Sequence, residues 1–416
     1  MKVRFLNPPI HDLVGQHYRL NQAVGGPLLS AILQDAGLNA SYVDCEYHHW
    51  TMTQVESYVK AESPDVVGIT VTNLNWEGTR RLIPYIRKGA PKVWVILGGP
   101  EVTARPDAAQ SLGADCVASG ECDLSIVNLV EDRPTSYYPN GIVHDLDSLP
   151  LPAWAFSNPL PTCYDGNAPR FERPECVTLW NRGCAHKCSF CSNPIFNRTL
   201  IRFRSAENIV AELKAFQAMG AKHIFVYSDE LIGMSPKQAE WLIGVCEAIT
   251  KANLGLTFKT QGRVGPHATR VCLEAMARAG FKAVMWGIES LSQKVLDAVH
   301  KGITPDEAWQ TLERSKAAGI QNWGFFMVGM PEEDDIAFKA SVSGIVKMKI
   351  AGLLDYKQVN ICTPSPGTEL WEQAETHGWL KQAPTETKWF HQSAVMEFPY
   401  ASAETIKRRL AVLQSL

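Results

Sequence analysis

The sequence predicts an α/β protein: a doubly wound, Rossmann-like domain, then a partial (β/α)6 barrel of the TIM type, then a small α-rich C-terminal segment. Three features of the chain carry this prediction. Short apolar runs alternate with stretches of helical periodicity along most of its length. Glycine, proline and polar residues punctuate the ends of those runs. One Pro-rich stretch interrupts the alternation, which sets domains at 1–140 and 171–370, a linker at 141–170 and a terminal segment at 371–416.

In the first domain the expected strands are Val3 to Leu6, one ending at Val43, Val66 to Thr70, Val93 to Leu97 and Asp115 to Ala118. A helix around Pro27 to Ala36 and a second helical stretch before Val66 supply crossovers, so the sheet is parallel with helices on its faces. The segment from Asp145 to Arg170 is too rich in proline for a helix or a central strand. Beyond it, strands are expected at Cys176 to Trp180, His223 to Tyr227, Gly255 to Thr260, Ala283 to Gly287, Trp323 to Val328 and Asp355 to Ile361. Helices at 205–219, 236–251, 267–279, 304–318 and 335–350 fall between them. Six such units predict a partial barrel that works through loops at the C-terminal ends of its strands. An amphipathic helix from Ala403 to Leu416 closes the chain.

Composition narrows the function classes. At 416 residues with 45% hydrophobic content, each domain can bury a core. The formal net charge of -3 gives no basic excess for nucleic acid or an anionic membrane, so neither is expected as a partner. The N-terminus MKVRFLNPP lacks the pattern of a secretory leader, and no run reaches the roughly 18 apolar residues of a membrane span, so the expected location is cytoplasmic. Eleven cysteines without a leader point to reduced thiols, some of them ligands.

The strand ECVTLW runs directly into NRGCAHKCSFC, which places Cys184, Cys188 and Cys191 on one loop at the barrel mouth. Cys-x3-Cys-x2-Cys leaves a fourth metal position without a thiolate. On a cubane, three thiolates leave one iron open to chelate a substrate's amino and carboxylate groups. Zinc is the other reading, with His186 as a fourth donor, but zinc generally takes four ligands in paired spacing.

The loop resembles that of the radical S-adenosylmethionine superfamily: Arg182-Gly183-Cys184, then Cys188, then the aromatic Phe190 before Cys191. The likeness extends through Tyr227 to Glu230, Arg263, Gly287 to Ser290, Phe326 to Pro331 and Thr363 to Leu370. It implies a 4Fe-4S cluster on the three cysteines and reductive cleavage of S-adenosylmethionine to a 5'-deoxyadenosyl radical. By the same resemblance Phe190 contacts adenine, while Glu230, Arg263, Glu289 and Ser290 meet the polar groups of methionine and ribose.

The first domain resembles the cobalamin-binding domain that precedes the barrel in one branch of that superfamily. Asn7, Pro8 and Pro9 follow the first strand, Thr70, Thr72 and Asn73 the third, Gly98, Gly99, Pro100 and Glu101 the fourth, and Gly120 and Glu121 the fifth. The glycine pair permits close approach of backbone to a bulky ligand, and the hydroxyls lie at strand ends where doubly wound folds bind. The loop NPPIHDLVG departs from the Asp-x-His-x-x-Gly of cobalamin domains with a histidine on cobalt, leaving His11 and His17 as weak substitutes.

Together the resemblances imply a cobalamin-dependent methyltransferase: hydrogen abstraction by the adenosyl radical, then methylation of an unactivated carbon from methylcobalamin. The substrate is a small molecule or peptide, and the electron comes from an external donor such as flavodoxin or ferredoxin. A rearrangement or cyclisation with both cofactors is the first alternative. A methylthiotransferase is the second, with another cluster on Cys45, Cys116 and Cys122. The late aromatics Trp371, Trp379, Trp389, Phe390 and Tyr400 are expected to pack and cover the barrel rather than line a substrate pocket, the alternative, with His391 and Tyr356 unassigned.

Overall fold

A computed structural model describes residues 1–10, 24–153, 171, 174–197, 199–382 and 393–416. His11, His17, Trp389, Phe390 and His391 lie outside the described residues. By compactness the chain divides into residues 1–177 with 195–197, and residues 178–194 with 198–416.

The first unit is a parallel sheet of β1 (Lys2–Asn7), β2 (Asn39–Asp44), β3 (Val66–Thr70), β4 (Trp94–Gly98), β5 (Cys116–Ser119) and β6 (Ser136–Pro139). Their order is β2-β1-β3-β4-β5-β6. Runs such as VVGIT and WVILG are apolar without alternation because both faces of a parallel sheet are covered. Successive residues therefore enter opposite cores: Val67, Ile69, Val95 and Leu97 on one side, Val66, Trp94, Ile96 and Ala118 on the other. β6 was not expected; it is a short, largely exposed edge strand ending in a proline, which suppresses the pattern of a buried strand. The chain reverses direction in the sheet between β1 and β3, the switch point where such folds bind ligands beyond the strands' C-terminal ends.

The second sheet is also parallel and six-stranded: β7 (Glu175–Thr178), β10 (His223–Val226), β11 (Thr257–Arg263), β12 (Phe281–Glu289), β13 (Gln321–Val328) and β14 (Tyr356–Ile361). It is an open, partial barrel, as expected. The intervening helices at 206–218, 236–252, 270–279, 305–317 and 335–350 each begin on a Ser, Thr or Asp whose side chain accepts the third N–H, at Ser205, Ser235, Thr269, Thr304 and Asp334. Each cap satisfies an otherwise orphaned donor and is worth about 1 kcal/mol.

Two strand ends differ from expectation in ways that matter for the site. The third barrel strand runs to Arg263 rather than stopping at Thr260, because Gln261, Gly262 and Arg263 continue the ladder opposite Met285, Trp286 and Gly287. The fourth runs to Glu289 rather than Gly287, with a register shift at its end. Both polar residues therefore stand on strand termini, not on free loops. Helices at Gln293–Ala298 and Glu369–Thr376 and a two-stranded ribbon of β8 (Asn181–Arg182) with β9 (Arg202–Phe203) were likewise not anticipated. The terminal helix Ala403–Ser415 packs on β14 and β13; Phe398 stacks on Tyr400 and meets Trp379 at a tilt. No helix among the described residues is long and apolar enough to cross a membrane.

Candidate active site

The strand leading to the cysteines is fixed before the loop begins. Thr178 donates to the Glu212 carboxylate at 2.6 Å, and Arg204 closes on the same oxygen at 2.5 Å. Trp180, fully buried, packs edge-on against Phe258 and Phe281, each such pair adding about 0.5–1.5 kcal/mol beyond its buried area. The β8–β9 ribbon then brackets the loop. Gly183 sits there at φ +93°, and a Cβ on it would lie 1.8 Å from the Leu200 carbonyl oxygen, so no other residue fits. Its N–H donates to Asp229 at 2.6 Å, a carboxylate that motif reading passed over in favour of its neighbour.

Cys184, Cys188 and Cys191 are all free thiols. Cys191 N–H turns back to the Cys188 carbonyl at 3.0 Å. Between them the loop is strapped twice, Ser189 N–H donating to Val299 O at 3.0 Å and Leu370 N–H donating to Ser189 O at 2.9 Å. Burial pushes the Cys184 thiol up to about 12 and the Cys191 thiol up to about 11, so metal must displace their protons. Burial, with the charges of Arg263 and Lys301, pushes His186 down to about 4, which leaves a neutral imidazole. Among the described residues no three His, Cys, Asp or Glu side chains are grouped to hold a single metal ion.

The polar candidates separate into two kinds. Arg263, at the end of β11, reaches Cys188, its Nη1 lying 3.5 Å from Sγ. Glu289, at the end of β12, adopts φ +67° and accepts a 2.8 Å bond from Lys301 Nζ, which also lies 5.8 Å over the Phe190 ring. Lys301 was not singled out by sequence; it follows a short helix, and only the fold shows that it returns to this loop. Although burial opposes its charge, Glu289 and Cys188 hold its pKa above the ordinary lysine range. Glu230 and Ser290 also bond within the fold. Glu230 Oε1 accepts the N–H groups of Ile232, Gly233 and Arg263 at 2.9, 2.9 and 3.2 Å. Ser290 Oγ lies 3.1 Å from Ser341 Oγ and accepts the Ser292 N–H.

In the first unit the residues predicted from sequence collect at the C-terminal ends of β1, β3, β4 and β5. Asn7 donates to Asp44 at 2.8 Å, and Pro8 follows it, buried. Thr72 and Asn75 bond reciprocally, which shapes the turn after β3. Thr70 is exposed, whereas both polar atoms of the Asn73 amide are buried with no partner among the described residues. Gly98 ends β4; Gly99, at φ +102°, has room for no Cβ, which would lie 2.9 Å from Val71 O. Pro100 opens the following helix, where burial raises the Glu101 carboxyl despite its 2.5 Å pair with Arg105. Gly120 has φ +78°, and Glu121 accepts the Val143 N–H at 2.7 Å.

Three sets of groups thus fit what the sequence implied. Three free thiols on one strapped loop, one of them beside a guanidinium, suit a cluster with one open iron. The charged groups on strands β11 and β12 suit a zwitterionic ligand there. An orphaned amide at a switch point, beside glycines that leave the backbone bare, suits a large cofactor fringed with hydrogen-bonding groups.

Comparisons with known proteins agree. The Radical SAM superfamily description matches residues 179–343, and the B12 binding domain description matches residues 13–130. Over 99% of its length the chain is 26% identical to PH0819 of Pyrococcus horikoshii, named an uncharacterized methyltransferase, and covers 91% of that protein. It is 29% identical over 69% of its length to MJ0865 of Methanocaldococcus jannaschii, named for methylthio transfer, and spans 64% of it. The radical S-adenosylmethionine methyltransferase TsrM of Kitasatospora setae, solved with cobalamin and a 4Fe-4S cluster, shares the fold at a TM-score of 0.71 and 17% identity. That match covers 92% of this chain and 76% of the other.

Proposed function

Because the chain belongs to the cobalamin-dependent radical S-adenosylmethionine enzymes, we propose that it is a methyltransferase placing a methyl group on an unactivated carbon of a small molecule or peptide. The observation that carries the reading is the strapped loop of three free thiols with the Arg263 guanidinium at one sulfur. Two relatives in sequence or fold are themselves named methyltransferases.

When bound, the cluster supplies one electron to the sulfonium of S-adenosylmethionine, and the corrin carries the methyl group. Cys184, Cys188 and Cys191 would hold three irons and leave the fourth to the amino and carboxylate groups of the methionine. Phe190 would offer its ring to adenine, and Arg263 and Glu289 would meet the cosubstrate's polar groups. Glu230 and Ser290 contribute by holding the ends of β10, β11 and β12 in place. In the first unit Asn73 and Thr70 would bond the corrin's fringe, with Thr72 shaping their turn. Gly98, Gly99, Pro100 and Gly120 would let backbone approach the cofactor, while Asn7, Pro8, Glu101 and Glu121 hold the surrounding loops. The chain's share of the reaction is positioning and exclusion of water. An external flavodoxin- or ferredoxin-type donor, in a reducing cytoplasm, supplies the electron.

Methylthio transfer with a second cluster fits poorly. Cys45 and Cys116 are fully buried in the two cores on opposite faces of the first sheet, and Cys122 accepts a 3.2 Å bond from Asn140. Iron analysis should give about four irons per chain, the content of one cubane. Anaerobic turnover with candidate substrates should yield comparable amounts of 5'-deoxyadenosine and S-adenosylhomocysteine. 5'-Deoxyadenosine without S-adenosylhomocysteine would replace methylation by rearrangement or cyclisation.

A further inference from the structure

Lys301 is 6% exposed and lies at the bottom of the cysteine loop with no role in the reading above. Its Nζ is 2.8 Å from Glu289 Oε1 and 5.8 Å over Phe190, the residue between Ser189 and Cys191. Arg263 Nη1 is 3.5 Å from Cys188 Sγ. Both cations are packed against backbone: a Cβ on Gly287 would lie 3.1 Å from Lys301 Nζ, and one on Gly302 would lie 3.4 Å from Arg263 Nη2. The bond from Ser189 N–H to Val299 O fastens the thiol loop to the segment that carries Lys301. Glu289 faces them from a left-handed backbone that a non-glycine residue adopts only when its surroundings impose it. Arg263 therefore stands at Cys188, and the Lys301–Glu289 pair stands beside Phe190, two residues further along the same loop.

We propose that Lys301 and Arg263, opposed by Glu289, form a fixed electrostatic field that eases one-electron reduction of the cluster; this rests on the reading of the three cysteines as its ligands. A cubane held by three thiolates is anionic, and reduction adds one further negative charge. Positive charge held nearby in a low-dielectric setting stabilises the more negative state, and net charge and hydrogen bonds to sulfur are what set such potentials. Lys301 is thus a positioning residue for charge, not a group that touches the reacting atoms.

The test is a potentiometric titration of the anaerobically reconstituted full chain with titanium(III) citrate, each Ti(III) giving one electron to one cluster and becoming Ti(IV), read by electron paramagnetic resonance. Lys301→Met should lower the reduced-to-oxidised ratio at a fixed poise about tenfold, a shift of about 59 mV toward negative potential for a one-electron couple. Lys301→Arg should stay near the parent. Glu289→Gln should move the potential in the opposite, positive direction, and the double variant Lys301→Met with Glu289→Gln should lie between the two single ones. A residue that only packs the loop would not give shifts of opposite sign. Variants with full iron content whose potentials do not move, or move together, overturn the field and leave the cluster reading intact. A parent chain that takes up no four-iron cluster overturns both.

Discussion

At the cysteine loop the working groups are side chains held by other side chains, whereas at the sheet edge of the first unit much of the shape is backbone. Arg263 meets Cys188, Lys301 meets Glu289, and the strand beneath is locked by Thr178, Arg204 and Glu212. Gly99 and Gly120 instead contribute left-handed turns and the absence of a Cβ, and the Asn73 amide has no partner among the described residues. The difference follows from what each ligand asks of a protein. Iron and sulfur chemistry requires particular donor atoms and compensating charge. A large organic cofactor requires room and many weak contacts, which backbone supplies as well as any side chain.

The sharpest way to break this contrast is to replace one residue in each site. Cys188→Ser should abolish cluster retention, giving iron content near zero after anaerobic reconstitution, while cobalamin uptake measured by visible absorption stays at the parent level. A Cys188→Ser protein with full iron would sink the ligand assignment. Gly99→Val should do the converse to a lesser degree. The strain of a branched side chain at φ +102°, against Val71 O and Thr70 Cγ2 at 2.9 Å, is on the order of 1–3 kcal/mol, or about five- to 150-fold in cobalamin affinity. Unaltered affinity would mean that the turn after β4 is not part of that site.

A third test asks whether side chains in the barrel also serve backbone alone. Glu333 accepts the N–H groups of Gly329 and Met330 at 2.5 and 3.2 Å, and burial pushes its carboxyl from the ordinary 4.5 up to about 7. A carboxyl raised on folding favours the protonated native state. Its contribution to stability is therefore full below about pH 4.5 and is lost as pH rises through 7. The amount is on the order of 3 kcal/mol. Glu333→Gln should flatten the dependence of the denaturation midpoint over that window; a profile parallel to the parent's would show that the group does not titrate there.

Legibility followed the same contrast. The spacing of Cys184, Cys188 and Cys191 could be read because it is local, a property of eight consecutive residues on one loop. Their apolar strands were readable because burial on both faces leaves unbroken apolar runs. Arg263 and Glu289 were identified but set on loops, since the polar stretches that end β11 and β12 carry no strand pattern and pair only because their neighbours do. Ser290 was read as a ligand contact, and the bond it makes to Ser341, across two elements, has no local signature. Lys301 was invisible for that reason too: nothing in VHKGIT distinguishes a lysine that faces water from one that meets Glu289.

The two straps on Ser189 tie the cysteine loop to Val299 and to Leu370, which a ribosome makes long after the loop itself has emerged. The second strap therefore forms only once nearly the whole barrel has been translated. Premature termination before Leu370 would leave the loop with only its bond to Val299.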